Sequence, residues 1–190
     1  MINDVSELVA EAARIAGKNN LPAHAPMLLG FLERTLNTEL RTDDMLASAA
    51  LTTDADGVVA LPSDYLETIT LTYGTDLKPL PRITRTLKNI GVDGYFVAGG
   101  SLYSTKTETD HTLTYYQAIP GLWANDTNWL LQSHPEAYLR GLVYEMHKDA
   151  NDAESAIAAK TMFDMALVGV KADDRRARRI DTVVMPRTQI

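Results

Sequence analysis

One stretch constrains the fold more than any other: HTLTYYQAIPGLWANDTNWLLQSHPEAYLRGLVYEM, from His111 to Met146. A threonine-rich strand (Thr112, Leu113, Thr114, Tyr115, Tyr116) runs through a Pro-Gly turn at Pro120 and Gly121 into an aromatic loop, and a helix opens at Pro135. Both tryptophans of the chain, Trp123 and Trp129, fall in that one connection. Tyr115, Tyr116, Trp123 and Trp129 therefore mark a sheet-to-helix junction. A sheet layer is expected to dock on a helical layer there, because such side chains bury much area and still need a partner for one polar atom. The plainest reading of the junction is a hinge of the core.

Periodicity organises the rest. Asn3 is expected to cap a helix with Val5, Leu8, Val9, Ala12 and Ile15 at helical spacing and Gly17 as its stop. After a breaker run from Lys18 to Pro26, a second helix carries Leu28, Phe31, Leu32, Leu36 and Leu40 on one face. From about Met45 the period changes. Residues 46 to 61 read as two short strands around Asp54 to Gly57, a turn sequence suited to a tight hairpin. Ile69, Leu71 and Tyr73 alternate with Thr68, Thr70 and Thr72 as in a half-buried antiparallel strand. Pro79 marks an edge strand, residues 84 to 90 a turn or two of helix closed by Gly91, and Gly99-Gly100 a hairpin between Tyr95-Phe96-Val97 and Leu102-Tyr103. Helical spacing returns with Tyr138, Leu139, Leu142, Val143 and Met146. After a break near Asn151 and Asp152, a last helix presents Ala156, Ile157, Phe163, Ala166, Leu167 and Val170.

Composition closes several functional routes. The chain has no cysteine, so it offers no disulfide, thiolate zinc site or thiol nucleophile. No apolar run approaches the length of a membrane span, and the start lacks a signal-peptide pattern, so neither membrane insertion nor secretion is expected. A calcium loop with its glycine at Gly57 would need an acid at Thr52 and a bidentate glutamate at Ser63. Gly99, Gly100 and Ser101 match no phosphate-loop pattern. Among acids and histidines, Glu145 and Asp149 can converge on one helix face, whereas Glu145 and His147 point about 200° apart. A hydrolase built on Glu145 and Asp149 is thus the weakest alternative, and His24, His111, His134 and His147 read as surface or capping residues. No cofactor is expected.

The net charge of -7 hides an asymmetry. Lys171, Arg175, Arg176, Arg178, Arg179 and Arg187 outnumber Asp173, Asp174 and Asp181 in the last twenty residues, so the body repels polyanions while the tail attracts them. Asp173 and Asp174 can pair with Arg176 and Arg178 on a last helical turn. Beyond them Thr182, Val183, Val184 and Met185 favour extended chain, and Pro186 forbids helix.

In order and spacing, LPSDYLE at 61 to 67, LTYYQAIPGL at 113 to 122 and NWLLQSHPEAYLRGLVYE at 128 to 145 resemble the head-to-tail adaptor (connector, neck) proteins of tailed bacteriophages. FLERTLNTELRTDDML at 31 to 46 is similar to that family's first long helix. The resemblance implies a non-enzymatic virion protein, assembled in the host cytoplasm, in a ring of about twelve subunits beneath the portal. Its expected partners are copies of itself, the portal protein, a downstream tail or neck protein and DNA in transit. It also implies a C-terminal arm that reaches the portal or a neighbour, here Arg178, Arg179, Ile180, Val183, Val184, Met185, Arg187 and Ile190. The expected fold is α+β: a small helical bundle (two N-terminal and two C-terminal helices, 1–45 and 118–178), an inserted antiparallel β region (46–117) and an extended arm (179–190). The competing function is a soluble binding module that takes its ligand through Trp123 and Trp129.

Overall fold

The computed structural model describes residues 2–17, 24–89 and 91–181. Its helices are α1 (Val5–Ala16), α2 (Ala25–Glu39), α3 (Arg85–Asn89), α4 (Leu122–Asn125), α5 (Trp129–Ser133), α6 (Pro135–Asp149) and α7 (Ala153–Asp181). The strands are β1 (Leu46–Thr52), β2 (Val58–Ala60), β3 (Tyr65–Tyr73), β4 (Lys78–Pro79), β5 (Tyr95–Ala98), β6 (Ser101–Ser104) and β7 (Asp110–Gln117). The fold is α+β, in two compact units: Met1–Asp44 with the chain from Ile119 onward, and Met45–Ala118. Most of the breaker run after Gly17 and all of the chain after Asp181 lie outside the described residues.

In the helical unit, α6 is buried on nearly every side, through Ala137, Tyr138, Leu139, Leu142, Val143 and Met146 among others. Helices α1, α2, α5 and α7 pack around it. Asp4, not Asn3, caps α1: its carboxylate accepts the Glu7 amide at 2.8 Å, while the Asn3 backbone amide donates to Glu7 Oε2 at 2.8 Å, a reciprocal pair that satisfies the open first turn. On α2 the buried stripe is Leu28, Leu29, Leu32 and Leu36, and Phe31, expected inward, is exposed because it falls off that row. The anticipated aromatic loop contains two short helices, α4 and α5. On α7, Phe163, Leu167 and Val170 are buried, but Ile157 is exposed.

Glu33 joins α2 to the start of α4: its Oε1 accepts the Leu122 amide at 2.7 Å. Burial raises the Glu33 pKa, and the hydrogen bond from Leu122 acts in the opposite direction. A carboxyl whose folded pKa is raised holds its proton more tightly when folded, so its contribution to stability falls as pH rises past the ordinary value of about 4.3. Glu33→Gln keeps the acceptor without the charge. The stability of this variant relative to the parent is therefore expected to increase from about pH 4 to about pH 7, as read by urea unfolding at each pH; a constant difference would refute the assignment.

The β unit holds two antiparallel sheets, ordered β1-β7-β3-β4 and β2-β6-β5. Leu71, Leu113 and Tyr115 of the first share one core with Tyr95 and Leu102 of the second and with Leu80. The hairpin expected around Asp54 does not form, since β1 pairs with β7 and β2 with β6. The turn instead carries the chain from one sheet to the other, and Asp54 Oδ1 accepts the amides of Asp56 and Val58 at 3.0 and 2.8 Å. The alternation expected in β3 is broken by two bulges, where Thr68 faces Tyr115 but Thr70 faces Thr114, and Ile69 between them is exposed. The Gly99-Gly100 hairpin and the β4 edge form where the sequence places them. Both glycines have positive φ (57° and 77°), as a type I′ turn requires.

Candidate assembly site

Helix α7 runs the length of 29 residues, so Arg178, Arg179 and Ile180 of the anticipated arm are helical. Val183, Val184, Met185, Arg187 and Ile190 lie outside the described residues. The arm's root is pinned. Arg178 reaches Asp174 on its own helix at 3.0 Å and Asp43 after α2 at 3.1 Å, and donates to the Arg41 carbonyl at 3.1 Å. Asp174 also accepts the Asp43 amide at 2.8 Å, and Lys171 pairs with Glu39 at 3.3 Å. The Asp174–Arg178 spacing of four was legible in the sequence, whereas Asp43 and Glu39, over 130 positions away, carried no signal. Arg175 and Arg179 stay exposed beside this anchor, and Arg176 pairs with Asp173 at 2.7 Å. The end of α7 is thus anchored by ion pairs, with Arg175 and Arg179 exposed near the helix terminus whose dipole cations complement.

The junction aromatics separate. Tyr115 is buried on β7 and donates to Asp64 Oδ1 at 3.1 Å, and burial together with that bond raises its pKa. Tyr116 lies on the opposite face of the strand and is half-buried. Trp129 on α5 is also half-buried. Trp123 on α4 is 57% exposed and borders an apolar groove of about 530 Å³ lined also by Val5, Val9, Ala10, Ala13 and Ala25.

Glu145 and Asp149 do border one cleft, of about 390 Å³, with Leu28, Phe31, Arg34, Thr35 and Lys148. Glu145, however, is buried and spent in an ion pair with Lys148 at 2.8 Å, which raises the lysine's pKa. A carboxylate neutralised in this way is a poor general base. His147 turns instead toward Asp152, 3.4 Å away. His111, expected at the surface, is buried: Nδ1 lies 2.8 Å from the Thr109 carbonyl and Nε2 lies 3.0 Å from Ser104 Oγ. Ser104 is itself fully buried, so this pair holds strands together and meets no substrate. Among the described residues no group of three or more histidine, aspartate or glutamate side chains is arranged to hold a metal ion. No helix among them is long and apolar enough to cross a membrane.

A family model described as SU10 adaptor protein matches residues 3–186. The match spans nearly the whole chain, and the chain belongs to that family: it is a phage adaptor, a structural virion protein. Membership implies a place in the virion neck and interaction with portal and tail proteins. Among curated proteins, none matches the chain.

Proposed function

We propose that this protein is one subunit of a closed ring, of about twelve copies, that sits below the portal, joins the DNA-filled head to the tail and surrounds the path of the genome. The family match carries this reading. In it, the end of α7 leads into residues 182 to 190 as an arm that engages the portal, with Val183, Val184, Met185 and Ile190 adding to a strand edge or apolar groove of that partner and Arg178, Arg179 and Arg187 supplying charge. The β unit meets the next tail component. The acidic body suits a conduit, because each phosphate contact would add salt-dependent affinity and slow DNA in transit. Assembly takes place in the host cytoplasm.

The test is native mass, measured over a concentration series with and without the portal protein, on the full chain and on a chain lacking residues 179 to 190. The full chain is expected to appear as one closed oligomer, alone or on the portal. The truncated chain is expected to lose portal attachment at least a hundredfold, while its far-ultraviolet circular dichroism stays that of a folded protein. A full chain that remains monomeric in both conditions would overturn the ring, and a truncated chain that binds the portal with unchanged affinity would overturn the arm.

A further inference from the structure

Helix α7 is apolar on two opposite faces. Phe163, Leu167 and Val170 are buried, yet Ile157 is 71%, Met165 65%, Val168 62% and Met162 54% exposed. With Phe163 at the centre of the buried face, 3.6 residues per turn puts Ile157, Thr161, Met165, Val168 and Ala172 within about 60° of the opposite direction. Ala158, Thr161, Met165, Val168 and Ala172 recur at intervals of three and four, the spacing by which one helix seats against another surface. The Thr161 hydroxyl already donates to the Ile157 carbonyl at 3.1 Å, and Lys160 and Asp164 satisfy each other, so this ridge presents little that needs water. Isolated exposed apolar side chains are ordinary, but a contiguous exposed apolar row on a helix marks a surface that a partner covers.

The same unit carries a second, largely apolar surface: the groove lined by Val5, Val9, Ala10, Ala13, Ala25 and the exposed Trp123, with Ser6 and Arg14 at its polar positions. It uses no residue of α7, so ridge and groove can be filled at once. A head-to-tail contact that closes into a ring requires two different patches on one subunit, each covered once in every copy. A partner of another kind would cover one of these patches and leave the other in water. An exposed tryptophan among small alanines is also the composition of an interface anchor.

We infer that the outer face of α7 in one subunit seats in the α1–α2–α4 groove of the next copy, with Met165 and Val168 packed toward Trp123. This contact deepens the ring reading above and rests on it. Because the chain has no native cysteine, single thiols report the contact cleanly. Val168→Cys and Ala10→Cys, both at exposed positions, would be treated with a short bismaleimide, singly, mixed and combined in one chain, with and without the portal protein, beside the native mass of each sample. The expected result is at least tenfold more cross-linked dimer from the mixture than from either variant alone, and a ladder of higher oligomers from the double variant. A ring by mass without such cross-links would overturn this pairing and leave the ring standing. Dimers from Val168→Cys alone would show two α7 ridges meeting, which overturns the head-to-tail contact. No oligomer in either condition would remove the ring and this contact together.

Discussion

Gly57→Ala is expected to destabilise the protein by about 3–4 kcal/mol. Two effects add. Gly57 has φ +74°, a conformation that costs an L-residue about 1–2 kcal/mol. A Cβ there would also stand 2.3 Å from the Ser104 carbonyl oxygen and 3.3 Å from its carbon. That contact is with backbone, which cannot rotate away, and it is held from the other side because Ser104 donates its amide to the Gly57 carbonyl at 2.7 Å. Ser104 is buried and bonded to His111, so any retreat of β6 disturbs the core of the β unit. Gly99→Ala separates the two effects, because Gly99 also has positive φ but nothing lies within 4 Å of its would-be Cβ. It should cost only about 1 kcal/mol. Equal losses for the two variants in urea unfolding would show that the turn is not pressed against Ser104.

Asn128→Ala is expected to cost about 3 kcal/mol through a different mechanism. The Asn128 side chain caps α5 by accepting the Leu131 amide at 2.9 Å, and its Nδ2 donates to the Pro120 carbonyl at 2.7 Å and to the Tyr138 hydroxyl at 2.8 Å. One residue thereby ties the turn before α4, the start of α5 and the first turn of α6. Burial pushes the Tyr138 phenol well above its ordinary pKa, with the Asn128 hydrogen bond acting the other way, so the hydroxyl stays neutral and relies on this partner. Removing Asn128 loses the cap, worth about 1 kcal/mol, and leaves buried polar groups unpaired at about 1–3 kcal/mol. Tyr138→Phe, which breaks only one of the three bonds, should cost about 1 kcal/mol. Scanning calorimetry of both variants is decisive: equal shifts in Tm would mean the cap and the Pro120 bond contribute nothing. Because α4 carries Trp123, the same variant is also expected to weaken the proposed contact between copies.

The ordering of elements was legible because it is local. A repeat of three and four identified α1, α2, α6 and α7, a threonine-rich run identified β7, and Gly99-Gly100 identified the β5–β6 hairpin, since each depends only on neighbours a few residues away. The family's motifs were legible for the same reason, being short runs whose order survives in the chain. The α6 stripe from Tyr138 to Met146 is buried as its spacing indicates. The Asp54–Gly57 turn, by contrast, has hairpin chemistry and makes no hairpin.

Tertiary structure decided which surfaces each element spends. The strands either side of the turn bind partners far along the chain, β7 and β6, because completing two sheets satisfies more backbone than one short ribbon could. It placed Ile69 on a bulge, moved the α1 cap to Asp4, brought Asp43 to Arg178, and buried His111 against Ser104. It also divided the apolar residues of α7 into a face that α6 covers and a face left open. Sequence periodicity registers that a residue is apolar and where it lies around the helix. Which side of the helix meets a neighbour depends on the packing of elements distant in the chain, and that packing appears only in the folded structure.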